Sequence, residues 1–270
     1  MVPPWVPDIP LPTVPPEGEP PDSGQDDDGE QASPLRTEPR QPIPIAPVGR
    51  FGSARRALGD YARTGDRDRM RQGIGRYVQS GYGGSATATR RFGGTAQTAN
   101  MLHSALSSGG ANPYAAPGRQ LDPVLLAGRS ADEVMDAVVE AVRPVDGTQD
   151  TEASRTAIKD ALSEVLTRFP EADLLDLQEQ HREFVIERYI AVDVFRRFDL
   201  DLGKTIRDKA PNATSGLGRL KEIREYIRET VAASFRRLRD SRQRIVVGRI
   251  TQIVQCALRE TFQVFEAYAE

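Results

Sequence analysis

The chain has 270 residues, 38% of them hydrophobic, with a net charge of −3, one cysteine and two histidines. At roughly 100–200 residues per domain this length makes one or two domains, and the single Cys256 excludes an intrachain disulfide. No stretch approaches the ~18 apolar residues of a membrane span, and the N-terminus has neither the basic nor the apolar region of a signal peptide, so a cytoplasmic protein is expected.

Residues 1–49 hold fourteen of the twenty prolines. Proline fixes φ and removes an amide donor, so neither helix nor sheet propagates here. A disordered, proline-rich acidic arm is expected. Nine acids face two arginines in it, a net of −7. Val2, Pro3, Pro4 and Trp5 stand out, since Trp5 is the only tryptophan. An aromatic on an extended arm is suited to docking in a groove, which makes these four the candidate partner-binding residues.

Residues 50–110 read as a small Arg/Gly-rich helical module. Arg55–Gly65 returns as Arg71–Gly81, an offset of 16 residues, in the pattern R-x-x-[LI]-G-x-Y-[AV]-x-[TS]-G. Ala54, Leu58, Tyr61 and Ala62 share one helical face, and Met70, Ile74, Tyr77 and Val78 share its equivalent. Thr64-Gly65 and Ser80-Gly81 are the expected stops. Gly59 and Gly75 lie inside these helices at a cost of ~1 kcal/mol each, which close helix–helix approach would offset. A third helix is expected from Ser85 to about residue 107, weakened at Gly93-Gly94, with Phe92, Ala96, Ala99, Leu102 and Leu106 inward.

Residues 121–270 read as an α-helical domain, so the chain as a whole is all-α: a helical bundle preceded by the repeat module and the arm. Asp122-Pro123 starts a short helix. Ser130-x-x-Glu133 is a capping box. Further helices are expected over 151–169, 174–198, 203–209, from Thr214 or Ser215 to about 238, and over 242–268. Leu217, Leu220, Ile223 and Ile227 begin the stripe of the penultimate one.

Chemistry is sparse. Gly203-Lys204-Thr205 lacks the upstream glycine and strand of a phosphate-binding loop, position 198 being Phe198. His103, His181 and Cys256 cannot assemble a Cys/His metal site, and His181 reads as a core residue. Asp199 and Asp201 read as capping or solvated acids. No catalytic residue, cofactor or metal is expected, and the chain reads as a non-enzyme. The arginines are the main functional feature. Arg50, Arg55, Arg56, Arg63, Arg67, Arg69, Arg71, Arg76, Arg90 and Arg91 stand against three aspartates over residues 50–91. They could form a continuous basic surface for an acidic protein, for the chain's own arm, or for nucleic acid, with Tyr61, Tyr77 and Tyr82 as stacking platforms. Because Tyr61 and Tyr77 share faces with Leu58 and Ile74, core positions are the better reading for those two.

Several long stretches together resemble QatB, the B component of the Qat anti-phage defence system. They are Val2–Trp5, ARRALGDYARTG at Ala54–Gly65, GRYVQSGYGGSATATRRFGGTA at Gly75–Ala96, LLAGRSADEVMDAVVEAVRPVDGTQD at Leu125–Asp150, and DVFRRFDLDLGKTIRDKAP at Asp193–Pro211. The resemblance implies an accessory antiviral component without catalytic residues. It is encoded with an ATPase, a QueC-like enzyme (QatC) and a TatD-like nuclease, and the QueC-like enzyme is the implied partner. Family members begin with a Gly-rich leader before the Val-Pro-x-Trp segment, and QueC-like enzymes of related systems resemble modifiers of a partner's N-terminal glycine. This chain begins at Met1-Val2 and is expected to lack that acceptor, which leaves partner binding untouched.

Overall fold

In a computed structural model of the chain, residues 49–107, 126–240 and 249–270 are described. The chain divides into Met1–Ile45 and Ala46–Glu270, and all described residues lie in the second unit. The arm, the helix expected at Asp122-Pro123 and the start expected near Arg242 fall outside them.

All regular structure among the described residues is helical. Helix α1 spans Gly52–Thr64 and ends where Gly65 turns left-handed at φ 80°. Helix α2, Arg67–Arg76, starts on Asp66, whose carboxylate accepts from the Asp68 amide. The second repeat does not stop at Gly81. It continues as a π-helical turn, π1, over Tyr77–Tyr82, and closes at Gly83 with φ 83°. Gly81 is buried there because the Phe51 ring lies 2.4 Å from where a Cβ would be. The expected third helix is two helices, α3 (Ser85–Arg91) and α4 (Gly93–Ala105). Phe92 breaks them at φ −88°, ψ 16°, just before the two glycines that weaken the run.

Helix α5, Ala131–Val142, carries the full capping box of Ser130 and Glu133. Helix α6 is Gln149–Arg168, capped by Thr148. Helix α7 runs Glu179–Phe198 and passes directly into a second π-helical turn, π2, over Asp199–Gly203. Helix α8 is Lys204–Lys209, α9 is Ala213–Asp240 and α10 is Ile250–Glu266. The side chain of Asn212 caps α9 by accepting from the Ser215 amide, so neither Thr214 nor Ser215 holds the cap position.

Helix α7 is the central element: it packs against α4, α6 and α9, while α10 packs against α2, α3, α4 and α9. One hydrophobic cluster takes in the inward faces of both repeats and of the C-terminal helices, from Tyr61 and Tyr77 through Phe92 and Leu162 to Phe198, Phe235 and Phe262. Each such side chain contributes ~1.5–3 kcal/mol on burial. The inward series Phe92, Ala96, Ala99, Leu102 and Leu106 is buried as its spacing requires. Leu217 is not on the stripe; it is 64% exposed. Cys256 is half-buried against the core.

The helical glycines divide by role. At Gly75 a Cβ would stand 2.6 Å from the Ala269 amide nitrogen and 2.7 Å from the Phe265 carbonyl oxygen. The backbone of α2 therefore meets the end of α10 at a distance only glycine permits. The contact with α1 belongs to Gly73, over Leu58, rather than to Gly59. At Gly59 the nearest atom is Lys209 Cγ at 3.7 Å, an ordinary contact.

Candidate functional site

The two π-helical turns face one another across the start of α1. The Tyr77 hydroxyl donates to Asp201 Oδ2 at 3.0 Å, and the Tyr82 hydroxyl donates to the same oxygen at 3.2 Å. Arg50 approaches Asp201 Oδ1 at 4.0 Å and lies over the rings of Phe51 and Tyr82, 4.4 and 5.6 Å from their centroids. Arg91 lies over Tyr82 from α3 at 5.9 Å. A π turn inserts one residue into the α-helical register and is rare enough to mark a functional or strained place. Here the insertion brings Tyr77 and Tyr82, five residues apart, to a single acceptor. Asp201 is therefore neither a capping nor a solvated acid, as its place between helices suggested, but the acceptor that joins π2 to π1. Burial raises its carboxyl above the ordinary range, opposed by the two hydroxyls and by Arg50. Burial, with Asp201 adding to it, pushes Tyr82 up to about 12, and Tyr77 rises well above the usual phenol range.

A second polar cluster continues from the first into the core. Asp193 on α7 is fully buried; the Thr95 hydroxyl donates to its Oδ2 at 2.6 Å, and Arg197, one turn on, lies 3.4 Å from the same oxygen. Arg197 also reaches Asp150 at the start of α6, at 3.9 Å, and stacks over Phe92. Burial raises Asp193, with Arg197 and the Thr95 hydroxyl opposing. The Tyr189 and Ser154 hydroxyls pair at 3.0 Å beside it. The pairing of Asp193 with Arg197 could have been read from the sequence: an acid and an arginine at i and i+4, one turn after Tyr189, with Asp193 inside the apolar run Tyr189–Phe195. Nothing in the spacing pointed to Thr95 or Asp150.

Seven of the ten arginines are exposed, and several of the ten engage neighbours one by one. Arg50 is engaged as above. Arg76 donates to the Ala269 carbonyl at 3.3 Å. Arg71 pairs with Asp68 and lies over Tyr268, while Arg67 sits 4.0 Å from Glu222. Arg63 pairs with Asp60, Arg69 donates to Gln72, and Arg90 donates to Thr87. Arg55 and Arg56 are exposed on α1. Tyr61 and Tyr77 are buried, the Tyr61 hydroxyl meeting the Arg219 carbonyl and Glu222, so neither ring offers a stacking face. Val2, Pro3, Pro4 and Trp5 lie outside the described residues. His181 is buried with its ring 4.4 Å from Phe169. Gly203 sits inside π2, where a Cβ would collide with Asp199, so the Gly-Lys-Thr triplet belongs to a helical turn.

The motif at Gly75–Ala96 and the motif at Asp193–Pro211 thus meet in space, through Tyr77, Tyr82, Phe92 and Thr95 on one side and Arg197, Asp193 and Asp201 on the other. A family model described as "Qat anti-phage system associated protein QatB" matches residues 83–265. The chain belongs to the QatB family. As a QatB-family protein it is a component of the Qat anti-phage defence system, and its partners belong to that system. QatB is an accessory family of that system and not a known enzyme family. The matched span covers α3 to nearly the end of α10 and takes in Arg91, Phe92, Thr95, Asp193, Arg197 and Asp201; Arg50, Tyr77, Tyr82 and the whole repeat precede it. No curated protein and no solved structure matches significantly. Among the described residues no helix is long and apolar enough to cross a membrane, and no group of three or more potential ligands could hold a metal ion.

Proposed function

We propose that this chain is a non-catalytic, cytoplasmic partner-binding component of the Qat system, and that its direct partner is the system's QueC-like enzyme. The family match over residues 83–265 carries the reading. The use of the titratable groups at the motif junction supports it. Asp201 accepts two phenols and Asp193 accepts Thr95 through Oδ2 beside Arg197, so both join separate helices. A reacting centre needs a group free to exchange protons with a substrate. The Val2–Trp5 segment supplies an aromatic anchor for that partner. The system's ATPase and TatD-like nuclease are further candidate partners.

Co-expression of the tagged chain with the QueC-like protein, followed by size-exclusion chromatography, tests the proposal. Co-migration is the expected result, weakened in Trp5→Ala without any change in melting temperature. A chain that migrates alone beside its partner at micromolar concentration would overturn it. Intact-mass measurement of the recovered chain shows separately whether the enzyme has altered it.

A further inference from the structure

The structure singles out one strip of α1 that the repeat pattern did not. Arg55, Gly59 and Arg63 are spaced i, i+4 and i+8, one above another on a single helical face. Lys209, from α8, crosses that face at Gly59, with its Cγ 3.7 Å from the position a Cβ would take. The strip therefore presents Arg55, then Lys209, then Arg63, at intervals of about 6 Å along the α1 axis, with Arg56 beside Arg55. All four side chains are exposed. Helices α1 and α8 carry two carboxylates. Asp60 is engaged with Arg63, and Asp208 is exposed. None of the exposed large hydrophobic residues Val145, Leu200, Leu217 and Tyr268 lies on either helix.

We propose that this α1–α8 ridge binds the phosphate backbone of nucleic acid. A protein partner would need an apolar anchor at the centre of its contact, and the ridge has none. A row of cations along one face of α1, with Lys209 crossing it from α8, is instead matched by a polymer that repeats its charge. The binding is to backbone alone: Tyr61 is buried under the same helix and Tyr77 in the core, so no base stacks there, and the interaction is independent of sequence. The ridge is separate from the polar junction, and the proposal stands whether or not the chain binds a QueC-like enzyme.

The test is fluorescence anisotropy of a labelled DNA duplex of about 20 base pairs, titrated with the full chain at several salt concentrations. With Arg55, Arg56 and Lys209 on phosphates and Arg63 held by Asp60, log K should fall against log salt with a slope of about −3. Arg55→Ala/Arg56→Ala should reduce the slope by about 2, and Lys209→Ala by about 1. Arg90→Ala/Arg91→Ala, which removes the same charge as the first pair away from the ridge, should leave the slope unchanged. Thermal melts confirm that each variant is folded. No binding at low salt overturns the proposal, as does an equal loss in the Arg90/Arg91 control. Displacement of the duplex by polyglutamate as readily as by unlabelled duplex would also overturn it, assigning the ridge to an acidic protein surface.

Discussion

Replacing His103 with leucine tests how this core handles a titratable group. His103 lies in the last turn of α4 and is 1% exposed. Neither of its ring nitrogens has a hydrogen-bond partner among the described residues. Burial, with Arg182 nearby, lowers its pKa from 6.5 to about 4. The folded protein therefore holds the ring neutral while the unfolded chain protonates it, so stability is intact above pH 6.5 and is lost as pH falls toward 4. Between pH 7.5 and pH 5 this linkage costs about 2 kcal/mol. Leucine has a similar volume and nothing to protonate. The difference in unfolding free energy between His103→Leu and the parent should thus grow in the variant's favour by about 2 kcal/mol over that range. For a folded unit of this size that is a relative gain in melting temperature of about 4–8 °C. Urea denaturation at the two pH values, monitored by circular dichroism, measures it. The raised carboxyls of Asp193, Glu187 and Asp201 shift stability the opposite way, favouring the folded state as pH falls. They are present in both proteins and cancel in the comparison. A difference that stays the same at pH 5 and pH 7.5 would refute the reasoning.

The two interior glycines of the repeat should behave oppositely. Gly75→Ala drives a methyl into the backbone of Ala269 and Phe265 and should cost about 1–3 kcal/mol or more. Gly59→Ala meets only Lys209 Cγ at ordinary distance and should gain up to about 1 kcal/mol from helix propensity; thermal melts of both variants decide it. Tyr77→Phe removes a donor from Asp201 and should destabilise by about 1–3 kcal/mol. Its signature is faster amide exchange confined to 77–84 and 199–203, whereas exchange rising uniformly over α7 and α9 would mean that the π turns are not locally coupled. Trp5→Ala should weaken capture by the QueC-like protein while leaving the melt unchanged, as measured by pull-down and calorimetry on the same preparation.

The helical content of this chain, the inward series Phe92 to Leu106, the capping box at Ser130 and the burial of Tyr61 and Tyr77 were all legible in the sequence. They rest on spacings of three and four residues, and these stay local whatever the rest of the chain does. The QatB motifs were legible for the same reason, as contiguous strings. Tertiary structure alone decided which polar groups meet. Tyr77 and Tyr82 find Asp201 across 124 and 119 residues, and Thr95 finds Asp193 across 98; no spacing encodes such a pairing. It also decided the register change at π1, because the extra residue is needed only to bring two phenols to one distant carboxylate. The same holds for the glycines, since Gly59 and Gly75 are identical in the repeat but face a flexible lysine and a helix backbone respectively. Charge divides in the same way. The sequence counts ten arginines over residues 50–91, and only folding shows that Arg50, Arg67, Arg71 and Arg76 are drawn to neighbours while Arg55 and Arg56 remain outward. An arginine's availability depends on the acids and carbonyls that packing brings to it, and Asp201, Glu222 and the Ala269 carbonyl all come from distant parts of the chain.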